Sequence, residues 1–260
     1  MPMRALTLTA LAALSSTLHA GTVMETVSRD LGDPGNATTI TTYAQDGRLR
    51  VEPRPGDSVM IFKDDVIYNV NRKDRTYVVM DRATMKRMAD QINPALKQMQ
   101  EQLAKMPPEQ RAQMEKMMGG RAAGMMSDEP QEIRKTERTG KASGYPCSYV
   151  EVHQGGALTD EFCVVSVNAL KGSQDLLASA KKMSALMKEM FANLDAPWLK
   201  DMVSKHADYE KIGGIPVLTR HFADGKAAHE TAMQAIRSES LAASLFDVPA
   251  GYAKKDMMMR

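Results

Sequence analysis

The composition of the chain changes abruptly after Asp81, and this change constrains the fold more than any other feature. Residues 82–131 contain no aromatic residue and only two β-branched residues, Thr84 and Ile92. The helix formers Ala, Met, Gln, Glu, Lys and Leu take their place. Short runs rich in β-branched residues lie on both sides of this segment. The sequence therefore predicts a sheet that a helical insertion interrupts.

The segment before the break, residues 21–81, predicts a β-meander. The runs ATTITTYA and RLRVE flank Asp46-Gly47, a strong hairpin-turn signal. The runs SVMIFK and VIYNVN flank Asp64-Asp65, and TYVVMD follows a further polar turn. Short strands joined by tight turns favour an antiparallel sheet over parallel strands with helical crossovers. Strands are expected to resume near Glu132, whereas residues 228–240 fit a strand or a helix.

Two helical insertions are expected, at about residues 82–128 and 170–208. Apolar residues recur at helical spacing in both. The first stripe includes Met85, Ile92, Met99 and Met106, and the second comprises Leu176, Ala180, Met183, Met187, Met190 and Leu194. Pro94 predicts a kink or a break in the first insertion. The expected fold class is α+β, a curved antiparallel sheet with two Met-rich helical insertions that cover its concave face.

The two cysteines lie in β-like runs that a short loop separates. If these runs form a hairpin with the three-residue loop Gln154-Gly155-Gly156, Cys147 lies directly opposite Cys163. The spacing therefore predicts a structural disulfide, and a cross-link of this loop length stabilises a fold by about 3 kcal/mol. A redox-active pair is the other interpretation, but it usually has the closer Cys-x-x-Cys spacing.

Residues 1–20 have the layout of a secretory signal peptide. Arg4 precedes an apolar run of about ten residues, and a small polar region ends at Ala20. The run is too short to span a membrane, and no later stretch reaches that length. We therefore expect cleavage near Ala20 and a single mature domain over residues 21–260, exported to the periplasm.

Charge and motifs exclude several classes of protein. Without residues 1–20 the chain has 33 basic and 32 acidic residues, which gives no electrostatic argument for nucleic-acid binding. No Gly-x-Ser-x-Gly elbow, phosphate-binding glycine loop or dinucleotide fingerprint occurs. We therefore expect neither catalytic residues nor a cofactor.

Two histidines flank the turn at Asp224-Gly225. His221 and His229 lie opposite each other if the loop has three residues, and with Asp224 they would offer ligands to a divalent ion. Histidines of this kind are more often ordinary surface residues of a hairpin, and the sequence favours that interpretation.

Several segments together resemble an uncharacterised exported bacterial family that is grouped with the LolA/LolB lipoprotein-carrier superfamily. These segments are TTYAQDGRLRVE, VIYNVNRKDRTYVVMD, GKASGYPCSYVEV, GGIPVLTR and LFDVPAGYAKKDM. Each is a common strand-and-turn pattern, so the resemblance depends on their order. It implies a half-barrel sheet that helices cover on its concave face, with room for acyl chains. It implies no catalytic residues.

The abundant methionines leave three interpretations open. They pack the helices onto the sheet, they line a cavity that adapts to varied apolar partners, or they bind Cu(I). The second interpretation predicts a lid of Met85, Ile92, Met99, Met183, Met187 and Met190 over the strand residues Val59, Ile61, Ile67 and Val79. Its ligand would be a lipid, an acyl chain or a lipidated peptide, with a protein partner as a further possibility. The third predicts a copper site at Met114, Met117 and Met118.

Overall fold

The computed structural model describes residues 20–33, 35–105, 107, 131–194 and 209–256. Within these residues the chain forms one sheet of twelve strands in the order β12-β6-β5-β4-β3-β2-β1-β11-β10-β9-β8-β7. The strands are β1 Gly21–Asp30, β2 Ala37–Gln45, β3 Arg48–Arg54, β4 Ser58–Lys63, β5 Val66–Asn71, β6 Thr76–Met80, β7 Gln131–Ala142, β8 Tyr145–Gln154, β9 Ala157–Val165, β10 Ile215–Ala223, β11 Lys226–Glu239 and β12 Ala253–Lys255.

All neighbouring strands are antiparallel except β12, which runs parallel to β6. The sheet is curved and does not close, so β12 and β7 are its two edges and its shape is that of a half-barrel. Strand β1 joins the first six strands to the later ones because it pairs with both β2 and β11. The predicted antiparallel meander is therefore confirmed, and residues 226–239, whose class the sequence left open, form a strand.

The helices are α1 Arg82–Lys105, α2 Ser173–Phe191 and the single turn α3 Tyr209–Ile212, with 3-10 turns at Val167–Ala169 and Ala243–Phe246. Helix α1 begins where the composition changes. The backbone N–H of Thr84 donates to Asp81 Oδ1 at 2.7 Å, which caps the helix. Helix α1 continues through Pro94, so of the two predicted outcomes, a kink or a break, the break is wrong. The proline is exposed, and its cost is the loss of one backbone hydrogen bond.

Apolar clusters occupy both faces of the first half of the sheet. On one face, helices α1 and α2 pack against strand residues; this helix-side cluster includes Ala44, Leu49, Phe62, Ile67, Met85 and Leu186. On the other face, the segment after β11 packs against the same strands; this C-terminal cluster includes Val23, Val59, Ile61, Val70, Leu241 and Phe246. The curved sheet is thus buried on both faces over β3, β4 and β5.

These two clusters correct the predicted floor of the ligand site. Val59 and Ile61 belong to the C-terminal cluster, whereas Ile67 belongs to the helix-side cluster. Val79 pairs with Tyr68, which packs against the C-terminal cluster. The prediction that these four residues share one face is therefore wrong. Alternation within a strand shows which residues share a face, but it does not show which face the helices cover.

The disulfide between Cys147 and Cys163 is confirmed, with a Cα–Cα distance of 5.4 Å. Its predicted register is wrong. The hairpin turns on two residues, Gly155-Gly156, because Gln154 pairs with Ala157. A bulge next to His153 then shifts the pairing, so Tyr149 lies opposite Cys163 and the two cysteines are diagonal neighbours on one face. A diagonal pair can still come within disulfide distance.

Candidate functional site

An apolar cavity of about 190 Å³ lies between helix α2 and the sheet. Its floor comes from the three central strands: Met24 of β1 pairs with Thr42 of β2, and Thr42 pairs with Val51 of β3. Cross-strand partners point to the same face, so these side chains form a continuous row below the helix. Leu49, two residues before Val51, extends the row and is 2% exposed.

The roof of the cavity is one side of helix α2. Leu176, Leu177, Ala180 and Met183 line it. The spacing of Leu176, Ala180 and Met183 is i, i+4, i+7, which places these residues on one helical face. Ile215 and Pro216, at the start of β10, close one end. The lining is therefore apolar apart from the hydroxyl of Thr42.

A buried hydroxyl lies on helix α2 between these roof residues in sequence. Ser179 is fully buried, and its Oγ has no hydrogen-bond partner within the described part of the chain. A buried polar group in this state raises the free energy of the folded protein by about 1–3 kcal/mol. The packing of helix α2 therefore does not explain why a serine lies at position 179.

The start of helix α2 is fixed to the sheet. Gly172, which precedes the helix, has φ +81°, and a Cβ there would lie 2.7 Å from Ser238 Oγ and 2.8 Å from Thr22 Oγ1. The Thr22 hydroxyl donates to the carbonyl of Gly172, and the Ser173 hydroxyl donates to the carbonyl of Val167 at 2.7 Å. This close approach requires glycine and holds the helix over β1 and β11.

The end of helix α2 is held by helix α1. Arg82 Nε donates to Glu189 Oε1 at 2.8 Å, and Asn93 Nδ2 donates to the carbonyl of Asn193 at 2.9 Å. The hydrogen bond from Arg82 lowers the pKa of Glu189. Both Arg82 and Glu189 are about half exposed, so this ion pair contributes little to stability. These weak polar contacts lie at the surface, and beneath them Met85 of α1 and Leu186 and Met190 of α2 share the buried helix-side cluster.

The structure describes the side chains of five of the six predicted lid residues. Met183 lines the cavity, and Met187 is half-buried against the helix-side cluster. Met85 and Met190 are each 1% exposed and belong to the packed core. Ile92 is 36% exposed, and the side chain of Met99 lies outside the described residues. Of the predicted lid residues whose side chains the structure describes, only Met183 lines the cavity.

Sequence reasoning missed most of the cavity wall. Met24, Thr42, Leu49, Val51, Leu177, Ile215 and Pro216 line it, and none of them was proposed as a ligand contact. Leu176 and Ala180 were recognised as part of the apolar stripe of helix α2. The stripe was thus the only sequence signal that pointed to this site, because local sequence does not show which strands helix α2 packs against.

The predicted copper ligands Met114, Met117 and Met118 lie outside the described residues. Within the described ranges, no group of three or more His, Cys, Asp or Glu side chains is arranged to hold a metal ion. His221 and His229 do lie opposite each other, as the sequence predicted, but with the two-residue turn Asp224-Gly225 and a bulge after His221.

A second depression, of about 540 Å³, lies beside edge strand β7. Gln131, Ile133, Lys135 and Lys211 line it, so three of its four lining side chains end in a polar or charged group. As for membrane insertion, none of the helices in the described residues combines the length and the apolar character that a membrane span needs.

Comparisons with known proteins give a family and weak structural similarity. The model of a domain of unknown function (DUF4412) matches residues 82–252, and no curated protein matches the chain. An uncharacterized conserved protein from Thermus thermophilus is 8% identical, with a TM-score of 0.46, over 92% of this chain and 91% of that one. Two crystal forms of PNGF-II are 10% and 11% identical, with TM-scores of 0.35 and 0.34; the alignments cover 92% and 91% of this chain but 31% of PNGF-II. These scores support no functional argument.

Proposed function

The chain belongs to the DUF4412 family, a domain of unknown function, and from this premise we propose that it is a non-enzymatic binding protein for an apolar ligand. The ligand class is a lipid, an acyl chain or a lipidated peptide. The observation that carries this proposal is the apolar cavity between helix α2 and strands β1, β2 and β3. Apolar walls with few polar groups are typical of small-molecule sites.

The size of the cavity implies that its walls adjust when a ligand enters. Its volume of about 190 Å³ is below the roughly 300–1,000 Å³ of pockets that hold drug-sized molecules. Both ends of helix α2 are held, the start by the close packing at Gly172 and the end by Leu186 and Met190 in the helix-side cluster. We infer that the half-buried Met183 in the roof repacks, which enlarges the cavity for an acyl chain.

The methionine at the roof supports an adaptable site. Met183 lines the cavity and Met187 lies half-buried one turn later. Met side chains are flexible and repack around apolar partners of different shape. In this proposal the Met-rich insertions cover the concave face of the half-barrel, and Met183 adjusts to the ligand while Met85 and Met190 hold the core.

The wider assignment to the LolA/LolB superfamily is part of the same proposal. Its support is the order of the resembling segments together with an open curved sheet that has helices on one face. We also propose export to the periplasm after cleavage near Ala20. Strand β1 begins at Gly21, directly after that bond, and the disulfide Cys147–Cys163 suits an oxidising compartment. The continuous pairing of β1 with β2 and β11 supports one domain over residues 21–260.

A titration with a fluorescent fatty-acid analogue tests the proposed function. We expect saturable binding at one site, reversed by unlabelled fatty acid. The methyl resonances of ¹³C-labelled methionine locate that site. Met24 and Met183, which line the cavity, should shift on binding, whereas Met80, on β6 three strands beyond β3, should not. The absence of saturable binding, or shifts confined to methionines away from the cavity, would overturn the proposal.

A further inference from the structure

A row of four ionisable side chains crosses four neighbouring strands at the far end of β1 from the cavity. Asp30 of β1 pairs with His229 of β11, His229 pairs with His221 of β10, and His221 pairs with Asp160 of β9. Directly paired residues share a face of the sheet, so two imidazoles lie side by side between two carboxylates. The row lies six residues along β1 from Met24, roughly 20 Å away, and does not depend on the cavity.

Each imidazole turns its Nδ1 towards a carboxylate. His221 Nδ1 lies at hydrogen-bond distance, 3.1 Å, from Asp160 Oδ1, whereas His229 Nδ1 lies 4.0 Å from Asp30 Oδ2, within ion-pair range but too far for a hydrogen bond. The ring centroids are 6.5 Å apart and the ring planes differ by 29°. Metal-bound histidines almost always donate one ring N–H to a carboxylate or carbonyl, which orients the ring and makes the other nitrogen the ligand. In this row that nitrogen is Nε2 of His221, and Nε2 of the neighbouring His229 is the second candidate ligand.

We propose that His221 and His229 form a two-histidine site for a divalent transition-metal ion such as Zn²⁺, with Asp160 as a positioning residue. The two carboxylates at the ends of the row attract a cation by their charge. Tetrahedral coordination with Zn–N bonds of about 2.0–2.1 Å brings two ring centroids to roughly 5 Å, so the rings approach each other slightly on binding. The chain supplies two ligands, and water completes the coordination of an exchangeable ion.

Zinc titration of the untagged full-length mature protein by calorimetry tests this site. We expect saturable 1:1 binding that weakens at least tenfold in His221→Gln and in His229→Gln. Asp160→Asn should weaken binding by about tenfold, because loss of an outer-shell partner typically costs 10–100-fold in metal affinity. His153→Gln is the matched control, since His153 also pairs with a carboxylate, at 3.0 Å from Glu151 Oε2, but has no histidine opposite it. Its zinc affinity should equal that of the unmodified protein.

Long-range ¹H–¹⁵N spectra of the histidine rings give a readout that a structural role would not change. Zinc should move the Nε2 resonances of His221 and His229 and leave those of His153 in place. No saturable binding at millimolar zinc would overturn the proposal. Equal affinity in His221→Gln, or an equal loss in His153→Gln, would also overturn it. Circular dichroism checks that each variant is folded, and all these side chains are partly exposed.

Discussion

The replacement of Ala180 by leucine tests the cavity directly, because Ala180 lies in its roof. Leucine adds three carbons, and each buried methylene contributes about 0.8 kcal/mol, which gives an upper bound of about 2.4 kcal/mol. The cavity of about 190 Å³ has room for these carbons without overpacking. We therefore expect the free energy of unfolding to rise by about 1–2 kcal/mol, and the melting temperature by roughly 2–4 °C per kcal/mol for a protein of this size.

The same substitution should weaken ligand binding. A leucine at position 180 fills volume that the acyl chain occupies, so the ligand loses up to about 2.4 kcal/mol of apolar contact. At 1.4 kcal/mol per tenfold change in Kd, the fatty-acid analogue should bind roughly ten- to fiftyfold more weakly. Stability is measured by urea unfolding and affinity by the fluorescence titration. Greater stability with weaker binding is the expected combination.

Ala178→Leu is the matched control. Ala178 lies on the same helix, two residues away, and is exposed. The chemical change and the helix propensity are therefore identical, but no cavity is filled. We expect changes within about 0.5 kcal/mol, as for most surface substitutions, and no change in affinity. If Ala180→Leu bound the analogue within twofold of Ala178→Leu, the claim that the ligand occupies this cavity would be refuted.

Three further predictions concern the fold around the site. Replacing Cys147 and Cys163 together by serine should lower the free energy of unfolding by about 3 kcal/mol, measured by urea unfolding; an unchanged midpoint would contradict this. Phe246→Ala should lower the free energy of unfolding by about 3–5 kcal/mol, because Phe246 is 1% exposed in the C-terminal cluster. The fatty-acid affinity of the folded variant should be unchanged, and weaker binding would contradict the separation of the two faces. Asp81→Ala should cost about 0.5–2 kcal/mol. The hydrogen bond from the Thr84 backbone lowers the pKa of Asp81. The stabilising contribution of Asp81 is therefore present above the ordinary aspartate pKa of about 3.9 and is lost as the pH falls through the lower pKa of the folded state. If Asp81→Ala lowered the free energy of unfolding as much at pH 2 as at neutral pH, the cap would be refuted.

The sequence predicted the elements of this fold better than their arrangement. Turn signals such as Asp46-Gly47 and the composition change after Asp81 are local, and both placed their elements correctly. The pairing of β1 with β11 joins strands that lie far apart in the sequence, and no local pattern encodes it. The bulge next to His153 was not predicted either. An extra residue shifts the register of a strand, but the alternation of apolar and polar residues before the bulge gives no sign of it.

The candidate site was predictable only in part for the same reason. The stripe of helix α2 identified Ala180 and Met183, because helical periodicity is a local property. The floor was assigned to Val59 and Ile61, which face the C-terminal segment instead. That segment follows the last long strand, and its return across the sheet is a tertiary contact that strand alternation cannot reveal. Met85 and Met190 fit the predicted stripes of their helices but are core residues. An apolar stripe contains both residues that pack in the core and residues that line the cavity, and the spacing does not distinguish them.

Native mass spectrometry of the protein purified under non-denaturing conditions from cells that express the full-length chain tests the central claim most directly. We expect a species with one apolar molecule bound, which organic extraction releases as a lipid or acyl chain. The Ala180→Leu protein should carry less of this ligand than Ala178→Leu prepared in the same way. Repeated spectra of ligand-free protein, together with no uptake of the fluorescent fatty-acid analogue, would contradict the proposed function.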